Sequence, residues 1–180
     1  MRNIGWVLAA IGSAALLSTA AVQGVADASA GHGPAHGHRS ATVLKFDTMA
    51  PVTGPYVGTA NPIRGVPGGG LPWIIASARG SLKADGQLRV KVRGLVLADQ
   101  PPVPAALQGT NPIKDFQAIV SCQSIGASNS ATIANVTTGD FTASPAGDST
   151  ITARVDLPHP CIAPIIFVTG PGIWLAATGA

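Results

Sequence analysis

The chain has 180 residues and a formal net charge of +3, and only 11% of it is charged, against about 25% in ordinary soluble domains. Its eight acids are all Asp, and Gly 22 with Pro 15 add helix breakers to a chain rich in Val, Ile and Thr, which excludes a mainly helical fold. Aromatic residues make up 4%, with no helical basic run or stacking motif, which excludes a dedicated nucleic-acid binder.

Arg2 gives a short positive start, Ile4 to Leu17 is apolar, and Ala28-Ser29-Ala30 is a small-residue cleavage pattern. This is the layout of a secretory signal peptide, expected as a helix within residues 1–30 that is removed from an extracellular, cell-wall-associated product. An uncleaved anchor is the alternative, since Ile4 to Val25 reaches the roughly 20 residues that span a bilayer, although Ser13, Ser18, Thr19 and Gln23 dilute it. Residues 31–40, GHGPAHGHRS, follow as a low-complexity tail expected to be disordered. His32, His36 and His38 are three of the chain's four histidines, and imidazole is the commonest protein ligand for Cu or Zn. Cleavage after Ala30 places a free amine beside His32, a donor set that suits tetragonal Cu(II).

Residues 41–180 read as one domain of about eight short strands separated by turn signals. Ala41–Phe46 is the first. Asp47 to Pro72 is a long irregular tract with five prolines, expected to be functional or a clamp across the surface. Its Gly68-Gly69-Gly70 run lacks the Lys-Ser/Thr that completes a phosphate-cradling loop. Ile74–Leu82 and Gln87–Leu95 form a hairpin about Asp85-Gly86, both of which tolerate positive φ. Leu88, Val90 and Val92 alternate with Arg89, Lys91 and Arg93, giving one apolar face and one basic face. Arg79, Lys83, Arg89, Lys91 and Arg93, extended by Arg154, are the expected outward patch for an anionic glycan, wall polymer or membrane surface.

A Pro-rich connection from Asp99 to Asn111 carries one helical turn at Ala105–Gln108. Strands follow at Phe116–Gln123, Ala131–Thr137, Phe141–Ala143 and Thr150–Leu157. Phe116, Ala118, Val120 and Cys122 face inward on the first of these, and Ile151, Ala153, Val155 and Leu157 on the last. Ile165–Thr169 and Ile173–Thr178 are apolar on both faces, so both are expected at the centre of a sheet. The sum is an all-β antiparallel two-sheet sandwich, with a barrel as the alternative. Cys122 and Cys161 are the only cysteines, and an even count in an exported chain predicts one disulfide.

No catalytic residue is assigned. There is no Gly-x-Ser-x-Gly elbow, His159 is the one histidine outside the tail, and Asp85, Asp140 and Asp148 adjoin glycines at turns. The leading expectation is a secreted, non-catalytic binding or surface-associated module, with no cofactor beyond Cu or Zn at the tail. A metal-handling protein using that tail, and a hydrolase with an unrecognised site, are the alternatives.

GLPWIIASARGSLKADGQLRVKVRGLVLA, LPHPCIAPIIFVTGPG and the ending IWLAATG resemble a group of small exported β-rich proteins of high-GC bacteria. That resemblance spans most of the mature chain and implies compartment and fold, with no established activity attached. Ala78-Arg79-Gly80-Ser81-Leu82 through Asp85-Gly86 to Gly94-Leu95 also resembles the core hairpin of the chordin-type repeat. The histidine-containing strand that follows in that repeat is absent here.

Overall fold

The computed structural model describes residues 40–178. The expected signal peptide and the tail histidines His32, His36 and His38 lie outside the described residues. The strands are β1 Thr42–Phe46, β2 Ala50–Pro51, β3 Trp73–Ile74, β4 Ser77–Lys83, β5 Gln87–Arg93 and β6 Val96–Leu97. They continue with β7 Asp115–Ile125, β8 Ala131–Thr137, β9 Phe141–Thr142, β10 Ser149–Arg154, β11 Ile162–Gly170 and β12 Ile173–Ala177. One sheet has the order β1-β4-β5-β10 and the other β2-β12-β11-β7-β8, with β9 beside the start of β7. Neither closes on itself, so the molecule is a sandwich and the barrel is excluded. Leu82, Leu88, Val90 and Ile151 from the first sheet share one buried core with Phe116, Val120 and Ile166 from the second.

The central hairpin forms as its sequence dictates, with two corrections. The turn is a three-residue loop, Ala84–Gly86, in which Gly86 N–H donates to the Lys83 carbonyl at 3.0 Å. Only Gly86 takes a positive φ, at +81°, and a Cβ there would run into the Val155 carbonyl. Asp85 instead accepts from Gln87 N–H through Oδ1 at 3.2 Å. The expected Ile74–Leu82 strand also breaks at Ile75-Ala76. Gly94, at φ +61°, lies against Ala76 and turns the facing strand, so that β3 and β6 pair apart from the main sheet. Both strands of the hairpin bend together there, which the apolar pattern across Trp73–Leu82 does not reveal.

Cys122 on β7 and Cys161 just ahead of β11 form the expected disulfide, with an S–S distance of 2.01 Å and Cα atoms 5.0 Å apart. β11 and β12 lie inside their sheet, as their two apolar faces require. Their outer face is dry because the 47–72 tract crosses it as a strap. Val52 N–H donates to the Leu175 carbonyl at 2.8 Å, and Gly69 N–H to the Trp174 carbonyl at 2.9 Å. Tyr56 and Phe167 stack obliquely on Trp174, with ring centroids 6.5 and 6.2 Å away. The clamp reading of this tract therefore holds.

At the tip of the strap, Arg64 and Gly65 both have positive φ, and Ile63 and Val66 exchange backbone hydrogen bonds. This tight turn aims Arg64 at β7. The β7–β11 ladder slips between Ile162 and Ile165, and the Ser121 carbonyl opposite that slip accepts from Arg64 Nη1 at 2.9 Å. Asn135 Nδ2 returns a bond to the Arg64 carbonyl at 3.1 Å. Ser121 is fully buried and its bond to Arg64 part-buried, so Arg64→Ala strips a sheltered carbonyl of its donor. The expected loss is about 1–3 kcal/mol, read as a lower urea midpoint at unchanged slope.

Candidate anion-binding face

The outward face of the β1-β4-β5-β10 sheet is built by alternation. In β5, Leu88, Val90 and Val92 are buried, which forces Arg89, Lys91 and Arg93 to the other side. The antiparallel register then fixes their neighbours. Arg93 lies opposite Ser77, Lys91 opposite Arg79, and Arg89 opposite Ser81 on β4. On the other flank, Lys91 pairs with Thr150 and Arg89 with Thr152 of β10. Lys45 of β1 extends the row through Ser81. Lys83 sits at the turn end, its Nζ donating to Gln87 Oε1 at 2.9 Å, and Arg154 lies beside Gln87 on β10.

The structure thus brings together all five residues singled out from the sequence, with Arg154. Sequence reading missed Lys45. Its signal was the alternation of Leu44 and Phe46 on the opposite side of β1, but nothing local indicated that β1 would pair with β4. The eleven Lys and Arg, less Arg2 and Arg39 outside the described residues, leave nine, and seven of these line this one face. Ser and Thr hydroxyls fill the places between them.

Among the described residues, Arg154 with Asp85 is the sole ion pair, at 2.6 Å. Lys45, Arg79, Arg89, Lys91 and Arg93 have neither an acidic partner within ion-pair distance nor a side-chain hydrogen bond among these residues. Arg79 and Lys91 stand directly opposite each other as like charges, an arrangement that costs stability. Lys91 is the hub. Three shallow depressions of about 460, 390 and 310 Å³ all include it. Arg79 lines the first two, and Arg93 the first and third. Asp47 is the acid on the rim of the two larger ones, while Asp148 at the third is engaged with Gly94 N–H at 3.0 Å.

The hydrogen bond from Arg154 holds the Asp85 carboxyl below the usual carboxylate range against an opposing desolvation, with Gln87 N–H adding to the lowering. Because the folded value is lowered, this pair supports the fold above the ordinary Asp value near about 4 and is lost as pH falls through the lowered value. In Arg154→Ala the Asp85 carboxyl is expected to titrate higher than in the parent when followed by NMR of its side-chain carbon. An unmoved midpoint would remove Arg154 as the cause.

His159 is exposed between Pro158 and Pro160, and among the described residues no three His, Cys or Asp side chains gather as a metal site. Comparison with known proteins gives no match: no protein-family model, curated protein or solved structure matches the chain.

Proposed function

We propose that this chain is a secreted, non-catalytic module that binds an anionic cell-surface polymer through the outward face of β1, β4, β5 and β10. The observation that carries this reading is the gathering of seven of the nine described cations on one sheet face, six of them without an acidic partner among the described residues. A face that only needed solubility would mix the two signs. Here like charges stand opposite each other at a cost to the fold. Along β5, residues two apart repeat every roughly 6.8 Å, so Arg89, Lys91 and Arg93 offer a regular row of positive charge to a chain of phosphate, sulfate or carboxylate groups. The flanking hydroxyls of Ser81, Thr150 and Thr152 add neutral donors to the same row. Export is supported by the signal-like start, by the resemblance to small exported proteins of high-GC bacteria, and by a disulfide that suits an oxidising compartment.

The test is binding of the full chain to soluble polyphosphate, to dextran sulfate and to uncharged dextran, by calorimetry across a salt series. The expected result is binding to both polyanions, with affinity falling steeply as salt rises, and none to uncharged dextran. Equal binding to all three, or binding to the polyanions that ignores salt, would sink the reading.

A further inference from the structure

The two sheets leave four outer edges, and three of them carry a feature that blocks further strand pairing. β2 is two residues long and ends in Pro51. β1 has Lys45 and a register slip between Thr42 and Leu44. β10 ends in Arg154. Charges, prolines, bulges and shortness are the usual guards of a sheet edge. β8 has none of them. Its seven residues, Ala131-Thr132-Ile133-Ala134-Asn135-Val136-Thr137, hold no charge and no proline, and their pairing with β7 runs without a slip.

The direction of its free backbone groups follows from its flanks. Thr138 N–H donates to the Ala118 carbonyl, and Gly126 N–H to the Ser130 carbonyl. Hydrogen-bonded pairs alternate along an antiparallel ladder, so Thr132, Ala134 and Val136 bond β7. Ala131, Ile133, Asn135 and Thr137 therefore point their N–H and C=O groups away from the sheet. No backbone partner for these groups is present among the described residues.

We infer that β8 pairs with β8 of a second copy, antiparallel about a two-fold axis at Ala134. That register sets Ala131 against Thr137 of the second copy and Ile133 against its Asn135, and makes about eight backbone hydrogen bonds. An uncharged strand meets its own copy without repulsion. A foreign peptide strand draws specificity from side-chain pockets beside the edge, and no β8 residue lines any of the depressions described. Seven residues a side is well below the 20–30 of a standard interface, so the pairing is weak and concentration-dependent.

A two-fold axis normal to the sheet keeps each face on its own side. Both copies of the β1-β4-β5-β10 sheet then lie on the same side of the joined sheet, and both cationic faces look the same way, apart from a sheet twist of about 20–25° per strand. The pair is thus a bivalent plate for an extended anionic surface.

The test is sedimentation equilibrium of the full chain up to about 1 mM, with backbone hydrogen exchange measured at the two ends of that range. The expected result is a monomer–dimer equilibrium, with exchange at Ala131, Ile133, Asn135 and Thr137 slowing as concentration rises. Ile133→Lys with Thr137→Lys is expected to weaken the dimer by at least about tenfold at an unchanged thermal midpoint. Should that variant fail to fold, exchange in the unaltered chain decides alone. A monomer throughout with unchanged exchange, a dimer that a folded double variant retains, or an open-ended assembly would each overturn the inference.

Discussion

Replacing Cys122 and Cys161 together by Ala is expected to lower stability by about 4 kcal/mol, which for a domain of this size moves the thermal midpoint down by about 10 °C. The sulfurs close a loop with a sequence separation of 39, and opening it returns that freedom to the unfolded chain. The location adds to the effect. β11 enters its ladder irregularly, with a slip between Ile162 and Ile165 and a positive φ at Ala163, so the covalent link holds a strand start that hydrogen bonds hold poorly. Cys122 is itself fully buried on the inner face of β7, and Ala leaves a gap there. Calorimetry of the variant against the oxidised parent measures the difference, and the parent in reductant should follow the variant. A shift under about 2 °C would show that the link adds little to the folded state.

The second large effect concerns the cationic face. Arg89→Gln, Lys91→Gln and Arg93→Gln in one chain are expected to cost about 3 kcal/mol in binding an anionic surface, at about 1 kcal/mol per charge, or roughly a hundredfold in affinity. Reversal of all three to Glu should abolish binding at moderate salt. The same change has the opposite sign for the fold. Lys91 stands against Arg79, and removing one of two facing like charges relieves a repulsion of about 0.2–1 kcal/mol. Lys91→Gln alone should therefore leave the midpoint level or slightly raised while it weakens binding. Binding that survives the triple change would assign the face to solubility alone.

Much of this architecture was readable from short-range pattern. The alternation of Leu88-Arg89-Val90-Lys91-Val92-Arg93 names both faces of β5, and Ile151 with Thr150 and Thr152 does the same for β10, because a strand has a strict period of two. The inward face from Phe116 to Cys122 was legible for the same reason, and the cysteine pairing from an even count of two. What was not legible depends on contacts between distant segments. Ala50–Pro51 is a strand only because β12 lies beside it. The break at Ile75-Ala76 exists because Gly94 bends the facing strand. Nothing local marks Arg64, whose side chain serves the Ser121 carbonyl across the sheet. For the face itself, the β4–β5 hairpin placed five of its cations, while Lys45 and Arg154 arrive through pairings that no local rule specifies.

The strap has a consequence for how the molecule comes together. Its backbone bonds run to Trp174 and Leu175, on the strand latest in the described chain, while its Arg64 tip reaches Ser121 and Asn135, and Gly68 passes so close to the Tyr56 carbonyl and Val52 that a methyl group does not fit. The tip of the early tract can meet β7 and β8 first, but its two ends cannot fasten to β12 until almost all of the polypeptide has been delivered. On a chain emerging from a ribosome, residues 52–69 stay without their β12 partners until late, and shortening the chain at β12 would release the ends of that tract. Closing of the strap is thus a late step, set by the arrival of one strand far along the chain.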